Sequence, residues 1–258
     1  MRLKIVFSYD GSSFFGYAKQ VDKKTIQGEI ERVLKIIFQE DITLNASGRT
    51  DKGVHALSQV AHFDVKDREI DLEKIRYSFN KLIDEAIYLK SIEKVDSSFH
   101  ARFSSREKTY LYVINYEKYD VVLRNFELFD CYIDINKLIE ASKLFIGKHN
   151  FMDFCSKDND EDNFIRTIKD IKIETRGSRI LLYFVGDGFM RYQIRKIVGT
   201  LIEISKGKIE SDFIKNHLDQ ENRNIVSYQA DPKGLYLVEV KYWKLLIFWL
   251  IFALFLFF

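Results

Sequence analysis

The strongest constraint on the fold is a hydrophobic period that switches along the chain from two residues to between three and four, and back. Leu3, Ile5, Phe7 and Tyr9 alternate up to the turn signal Asp10-Gly11, and Leu57, Gln59, Ala61, Phe63 and Val65 alternate again. Successive strand side chains point to opposite faces, so these runs predict strands with one covered face. Between them Ile26, Ile30, Val33, Leu34, Ile37 and Phe38 recur at helical spacing, with Thr25 placed as the N-cap. A short strand at 42–45, a helix at 72–83 capped by Asp71, and strands at 87–92 and 110–114 follow by the same reasoning. The later chain repeats these ingredients: helices at 135–146, 189–205 and 213–218, and strands at 168–173, 180–185 and 235–242. The order predicts an α+β fold, with helices on one face of a mainly antiparallel sheet shared by two similar halves, 1–105 and 106–244. No residue-level repeat relates the halves.

Bulk properties narrow the class without naming a function. Of 258 residues, 47% are apolar and 30% charged, enough to bury a core and too apolar for a disordered chain. Forty basic against 38 acidic side chains give a formal charge of +2, so any polyanion partner must be recognised by local clusters. Cys131 and Cys155 stand alone, without a second Cys or His at metal spacing, which fits a reducing compartment and neither a zinc site nor a disulfide framework. The first residues, Met1 to Phe7, are interrupted by Lys4 and lack the apolar core of a signal peptide, so a cytoplasmic location is expected. The acidic run between Ser156 and Asn163 lacks the glycine and terminal glutamate of a calcium loop and reads as solvated.

The segment Gly48-Arg49-Thr50-Asp51-Lys52-Gly53-Val54-His55-Ala56 lies between two strands and is unusually rich in functional groups for a connector. Its glycines allow tight backbone angles and close approach of a ligand. Arg49 can hold the Asp51 carboxylate by charge-assisted hydrogen bonds and favour its ionised, nucleophilic form. A structural ion pair within a turn accounts for the loop composition equally well.

The same nine residues resemble the active-site signature of the tRNA pseudouridine synthase A family, with the family's catalytic aspartate falling on Asp51. The resemblance continues in matching order through Tyr9-Asp10-Gly11 with Phe14 and Gly16, Phe99-His100-Ala101-Arg102-Phe103-Ser104, Tyr110-Leu111-Tyr112, Phe151-Met152-Asp153-Phe154, Arg166-Thr167-Ile168, Phe189 to Gly199, and Gly234-Leu235-Tyr236-Leu237. It departs at Gly16-Tyr17-Ala18, where the family usually has Gly-Trp-Gln, and at Gln193 and Lys196, where Met and Asn are usual.

The resemblance implies a central RNA-binding cleft and an isomerase that detaches uracil from ribose and rejoins it through carbon. Its targets would be uridines at positions 38, 39 and 40 of the tRNA anticodon stem-loop, and the chain would act as a homodimer. Asp51 would be the nucleophile, Arg49 and Arg195 would hold its charge, and Tyr110 would pack against the extruded ring. Without the motif, Tyr110 is a core aromatic alternating with Tyr112 and Ile114, and Arg195, one turn after Arg191, belongs to a solvated basic face. His55 and His100 orient loops or touch phosphate; Arg102, Arg106, Lys108, Arg166, Arg191 and Lys196 are phosphate contacts if their segments line one groove. Such chemistry needs no oxidant, metal or phosphate donor, and no metal or cofactor is expected.

Lys244 is followed by the wholly apolar stretch Leu245–Phe258, outside the family pattern and shorter than the roughly 17–25 residues of a spanning helix. It reads as a non-functional addition; membrane association rests on it alone. Three rivals stand beside the enzyme: an RNA-binding module in which Asp51 only shapes the loop, a peripheral membrane protein, and a glycosidase, which would need a second carboxylate that the sequence does not mark.

Overall fold

The computed structural model describes residues 1–156, 163–220 and 223–242; the acidic run Lys157–Asp162 and the apolar tail lie outside the described residues. The alternating N-terminal run forms β1 (Arg2–Tyr9), in which Leu3, Ile5, Phe7 and Tyr9 are buried and the intervening residues are not. There follow α1 (Ile26–Phe38), β2 (Asn45–Ala46), β3 (His55–Asp64), α2 (Leu72–Leu82), β4 (Ile87–Val95), β5 (Ser105–Asn115), β6 (Leu128–Phe129), α3 (Ile135–Ser142), β7 (Gly147–Asn150), β8 (Ile165–Arg176), β9 (Arg179–Gly186), α4 (Gln193–Ser205), α5 (Asp212–Lys215) and β10 (Leu235–Tyr242).

The strands join in one mostly antiparallel sheet, ordered β4-β1-β3-β10-β5-β9-β8-β7, with β2 added to β3 and β6 to β5. The last strand in sequence therefore lies in the middle. It pairs antiparallel with β5 along most of its length but parallel with β3 only at Tyr236 opposite His55 and Leu237 opposite Ala56. That short seam begins at the residue where the functional loop enters β3, so the loop is set over the centre of the sheet.

Packing, more than local propensity, fixes the helices. Thr25 accepts the Gly28 N–H as N-cap of α1, a contact worth about 1 kcal/mol. The same helix buries Ile26, Ile30, Val33, Leu34 and Phe38, each worth roughly 1.5–3 kcal/mol. These side chains share one continuous core with Leu3, Ile5 and Phe7 of β1 and with Ile194, Ile197, Val198 and Leu201 of α4.

Several expected elements are shorter than their apolar patterns, among them the helix at 213–218, which is the four-residue α5. The strand expected at 42–45 is not formed over 42–44, the Leu44 N–H being taken by Glu31 Oε1 at 3.0 Å rather than by a neighbouring strand, and only the two-residue β2 follows. The helix at 135–146 ends at Ser142 and continues as a 3-10 turn, Lys143–Phe145. The helix expected from Phe189 starts at Gln193, because Tyr192 adopts φ +67°, a left-handed conformation that no right-handed helix can contain. Among the described residues no helix is long and apolar enough to cross a membrane.

Candidate active site

The loop before β3 is held from several directions. Ser47 donates from Oγ to Gln59 Oε1 (2.7 Å), and Gln59 Nε2 donates to the Gly48 carbonyl (3.0 Å). Gln59 is buried, so its amide must find such partners, and the loop backbone supplies them. Thr50 Oγ1 shares a 2.7 Å hydrogen bond with the Tyr9 hydroxyl, and the Thr50 carbonyl accepts from Tyr17 N at 3.1 Å. The turn from Asp51 to Val54 closes through Val54 N to the Asp51 carbonyl (3.1 Å) and needs Gly53 at φ +81°. Gly11 lies under it so tightly that a β-carbon there would meet the Val54 carbonyl oxygen at 2.0 Å.

From the far side of the fold, the first turn of α4 and the turn just before it bring two guanidinium groups to the Asp51 carboxylate. Arg195 Nη1 lies 3.4 Å from Oδ2 and Arg191 Nε lies 3.8 Å from Oδ1. Arg195 is itself fixed: Nε donates to the Ala230 carbonyl at 2.9 Å, and the Gln229 side-chain oxygen, with its amide oriented to suit its neighbours, accepts from Nη2 (2.8 Å) and Nη1 (3.2 Å). The left-handed Tyr192 places its ring against both cations, 4.8 Å from the Arg191 and 5.2 Å from the Arg195 guanidinium carbon. A bulky residue at positive φ costs of order 1–3 kcal/mol, and here it lies beside the charged cluster. Burial pushes the Asp51 carboxyl above the usual range, while Arg195 and then Arg191 pull it back. Its side chain keeps 19% of its surface open to solvent.

Tyr110 on β5 is buried edge-on against Phe189, with ring centroids 5.3 Å apart. Burial raises its phenol pKa, and the neighbouring Tyr9 and the Asp51 carboxylate add to the rise. The fold thus brings Asp51, Arg195 and Tyr110, drawn from three separate segments, to one place.

Arg49 is placed differently from the expectation. It is exposed and forms no ion pair with Asp51; its charge acts instead on the buried Tyr17 hydroxyl. The guanidinium opposite Oδ1 is that of Arg191. The four-residue spacing of Arg191 and Arg195 in the sequence is a signal for this, although α4 starts only at Gln193. His55 is not presented to a ligand either. It is buried, with Nδ1 3.2 Å from both Gly11 N and Asp10 Oδ1, Nε2 2.9 Å from the Asn125 carbonyl, and its ring stacked on Tyr236 at 4.8 Å. It orients the loop. Burial lowers its pKa, against the pull of Asp10.

Lys108, two residues before Tyr110 on β5, reaches the Ser47 carbonyl with Nζ at 2.6 Å. Burial, then the charges of Arg102 and Arg166, lower its pKa to about 8. Those two arginines therefore stand close to the loop. Arg166 donates to the Asn163 (2.9 Å) and Ile165 (2.8 Å) carbonyls, and Arg102 covers the Phe103 ring at 5.8 Å. His100 shapes the Arg102 turn by accepting from Arg102 N (3.2 Å) and Phe103 N (3.3 Å). Lys196, expected at phosphate, is instead buried with its ammonium on the Val226 carbonyl, on the core side of α4. Tyr17, at the departure from Gly-Trp-Gln, is also buried.

The comparisons agree with this geometry. A family model described as tRNA pseudouridine synthase matches residues 5–104 and 141–243. Relatives named tRNA pseudouridine synthase A include one from Geobacillus sp. (strain WCH70), 38% identical, with 93% of this chain and 98% of the relative covered. Another from Mycoplasmoides gallisepticum is 40% identical over 92% of this chain and 90% of its own length, and one from Listeria innocua is 39% identical over 93% and 99%. Matches of that extent, over both the loop of Asp51 and the helix of Arg195, show that the chain belongs to the tRNA pseudouridine synthase family, the isomerases that convert uridine to pseudouridine in tRNA.

Proposed function

We propose that Asp51 is the nucleophile of this isomerisation and that the targets are uridines 38, 39 and 40 of the tRNA anticodon stem-loop. The observation that carries the assignment is the carboxylate of Asp51 facing the anchored Arg195 at 3.4 Å, with solvent still reaching it and Tyr110 near enough to feel its charge. A nucleophile must be ionised, and the two cations favour that form against a burial that opposes it.

The reaction breaks the N1–C1′ bond, turns the uracil and joins C5 to C1′; the C5 proton departs and N1 gains one, so atoms and electrons balance without an outside oxidant. Three routes use the same charged carboxylate: attack on C1′, addition to C6, or assistance to a glycal. In each, Arg195 stabilises the carboxylate before attack and as it leaves again. The uridine must leave its stack to reach Asp51, and Tyr110, seated against Phe189, offers the ring a surface while it turns. Arg102 and Arg166, beside Lys108, supply positive charge for the RNA backbone. Arg49, exposed beside the loop, is assigned to the same backbone.

The reading takes residues 1–105 and 106–244 as halves meeting over a central cleft. It is supported by the sheet order, in which β4, β1 and β3 lie on one side of β10 and β5, β9, β8 and β7 on the other. A cytoplasmic homodimer belongs to the same proposal, since pairing two nearly neutral chains concentrates their basic surfaces.

The test is to incubate purified protein with an unmodified tRNA transcript and map pseudouridine through the anticodon arm. Conversion at 38, 39 or 40 by the wild type and none by Asp51→Asn is expected. Conversion elsewhere overturns the target assignment, and full conversion by Asp51→Asn overturns the nucleophile.

A further inference from the structure

Beside the loop of Asp51 stands a second group of residues that the isomerisation does not use. Phe14 and Phe15 are adjacent but opposite: Phe14 is buried, while Phe15 leaves 43% of its surface in solvent. Two ammonium groups lie over the Phe15 ring, Lys23 Nζ at 4.9 Å and Lys52 Nζ at 4.5 Å from its centroid. Neighbouring lysines have carboxylate partners, as in Lys24 with Asp84 and Lys19 with Glu31. Among the described residues Lys23 and Lys52 have none within 4 Å.

The segment is anchored for its length. Phe15 N donates to the Lys24 carbonyl (2.9 Å), Gln20 Nε2 to the Phe15 carbonyl (3.0 Å), Ile26 N to the Gly16 carbonyl (3.2 Å) and Tyr17 N to the Thr50 carbonyl (3.1 Å). Gly16, at φ +98°, lies against the active-site loop so closely that a β-carbon would meet Lys52 N at 3.2 Å. The ring is thus carried on the same backbone framework as Asp51.

An exposed aromatic face with two uncompensated cations suits a ligand that is both a flat ring and an anion, which is the chemistry of a nucleotide. We propose that Phe15, Lys23 and Lys52 form a second nucleotide subsite, where Phe15 stacks on a base of the bound RNA other than the uridine being isomerised and the two ammonium groups take adjoining phosphates. The subsite rests on the reading of the Asp51 loop as the tRNA-binding centre. It supplies what Tyr110 does not: a platform outside the pocket that sets how far along the strand the target uridine lies.

The experiment uses the full chain and an unmodified tRNA transcript carrying 2-aminopurine singly at each position of the anticodon loop. Wild type is expected to quench the probe at one position away from the target; Phe15→Leu loses that quenching and binds roughly 5- to 150-fold more weakly, while Phe15→Trp restores both. Lys23→Gln lowers the slope of log affinity against log salt by about one. If wild type forms pseudouridine while Phe15→Leu keeps wild-type affinity and quenching, the subsite is overturned and the reading of the active site stands. If wild type forms no pseudouridine but Phe15→Leu still loses affinity and quenching, the subsite stands and the catalytic reading falls. Absence of tRNA binding by wild type overturns both.

Discussion

Asp51 and Asp153 both lie in short connections beside α4, and consecutive residues of that helix, Arg195 and Lys196, bring positive charge to each. Their surroundings differ in one decisive respect. Asp153 is 1% exposed; its Oδ1 accepts from Asn224 N at 2.7 Å and its Oδ2 lies 2.9 Å from His217 Nδ1. Its own carbonyl also accepts from Val226 N. Among the described residues the Asp51 carboxylate has no contact of that length: its oxygens face guanidinium groups at 3.4 and 3.8 Å and remain partly in solvent. A carboxylate that ties two chain segments together uses its lone pairs in short hydrogen bonds. A carboxylate that must attack carbon keeps them available and has its charge stabilised from a distance. The first is part of the fold's stability and the second is held at its expense.

The largest effect that sharpens this contrast is that of Asp51→Asn. It is expected to lower the single-turnover rate by about 10⁴-fold or more, as loss of a nucleophile does, without lowering the melting temperature. The sign follows from linkage. The folded pKa of Asp51 is raised above its unfolded value, so the folded state favours the protonated form. The associated stability is fully present below the unfolded pKa and is lost as pH rises through the folded pKa; at neutral pH the ionised group therefore costs stability, and the amide relieves it. The same shift predicts that the rate falls on acidification with an apparent pKa above that of an ordinary aspartate. A rate profile flat down to the ordinary aspartate range, or a melting temperature well below wild type for Asp51→Asn, breaks the comparison.

Next in size is Arg195→Lys. The guanidinium spans Asp51, the Ala230 carbonyl and the Gln229 side chain, a fork that a single ammonium cannot reproduce. The rate is expected to fall about 10²–10³-fold, the size of losing one preorganised stabilising donor, with tRNA affinity changed far less. Equal losses in rate and affinity would make Arg195 an RNA contact.

Asp153→Asn should show the reverse pattern. The amide sets an N–H donor against either Asn224 N or His217, leaving a buried polar group unsatisfied at a cost of about 1–3 kcal/mol. Thermal melting is expected to drop by roughly 2–4 °C per kcal/mol, while activity per folded molecule is kept. A variant with wild-type melting and lost activity would place Asp153 in the chemistry.

The two carboxylates were not equally legible in the sequence. Asp51 stands in a polar loop with two glycines, and the nine-residue string around it marks it in the local chain alone. The strands and α1 were legible too, because period-two and period-3.6 burial is a property of the local chain, and Thr25 and Asp71 cap where they were placed. What the local chain does not contain is which distant groups meet. Arg49 lies two residues from Asp51, and proximity alone pairs them, yet the guanidinium that faces Oδ1 is that of Arg191, from a distant segment. The sequence leaves His55 either orienting the loop or touching phosphate, and only the parallel seam with β10 shows it stacked on Tyr236. Gln59 carried a usable hint: an amide on the buried side of an alternating strand must find partners, and it found Ser47 and Gly48. Tyr192 carried none, since a tyrosine at positive φ is written by tertiary packing.

The smallest expected effect belongs to Arg191→Gln, and its smallness separates the two cations on Asp51. Arg191 leaves 54% of its side chain in solvent and sits 3.8 Å from Oδ1, where water and salt screen its charge. Exposed ion pairs contribute about 0–1 kcal/mol, so the rate should fall by no more than roughly fivefold. Because the contact is screened, the wild-type advantage should shrink further as salt is raised at saturating tRNA. Arg195, buried and tied to Ala230 and Gln229, should show no such salt dependence. Arg191→Gln losing as much as Arg195→Lys, at every salt concentration, would mean that Asp51 is clamped evenly from both sides; its open oxygen would then be no more available than those of Asp153.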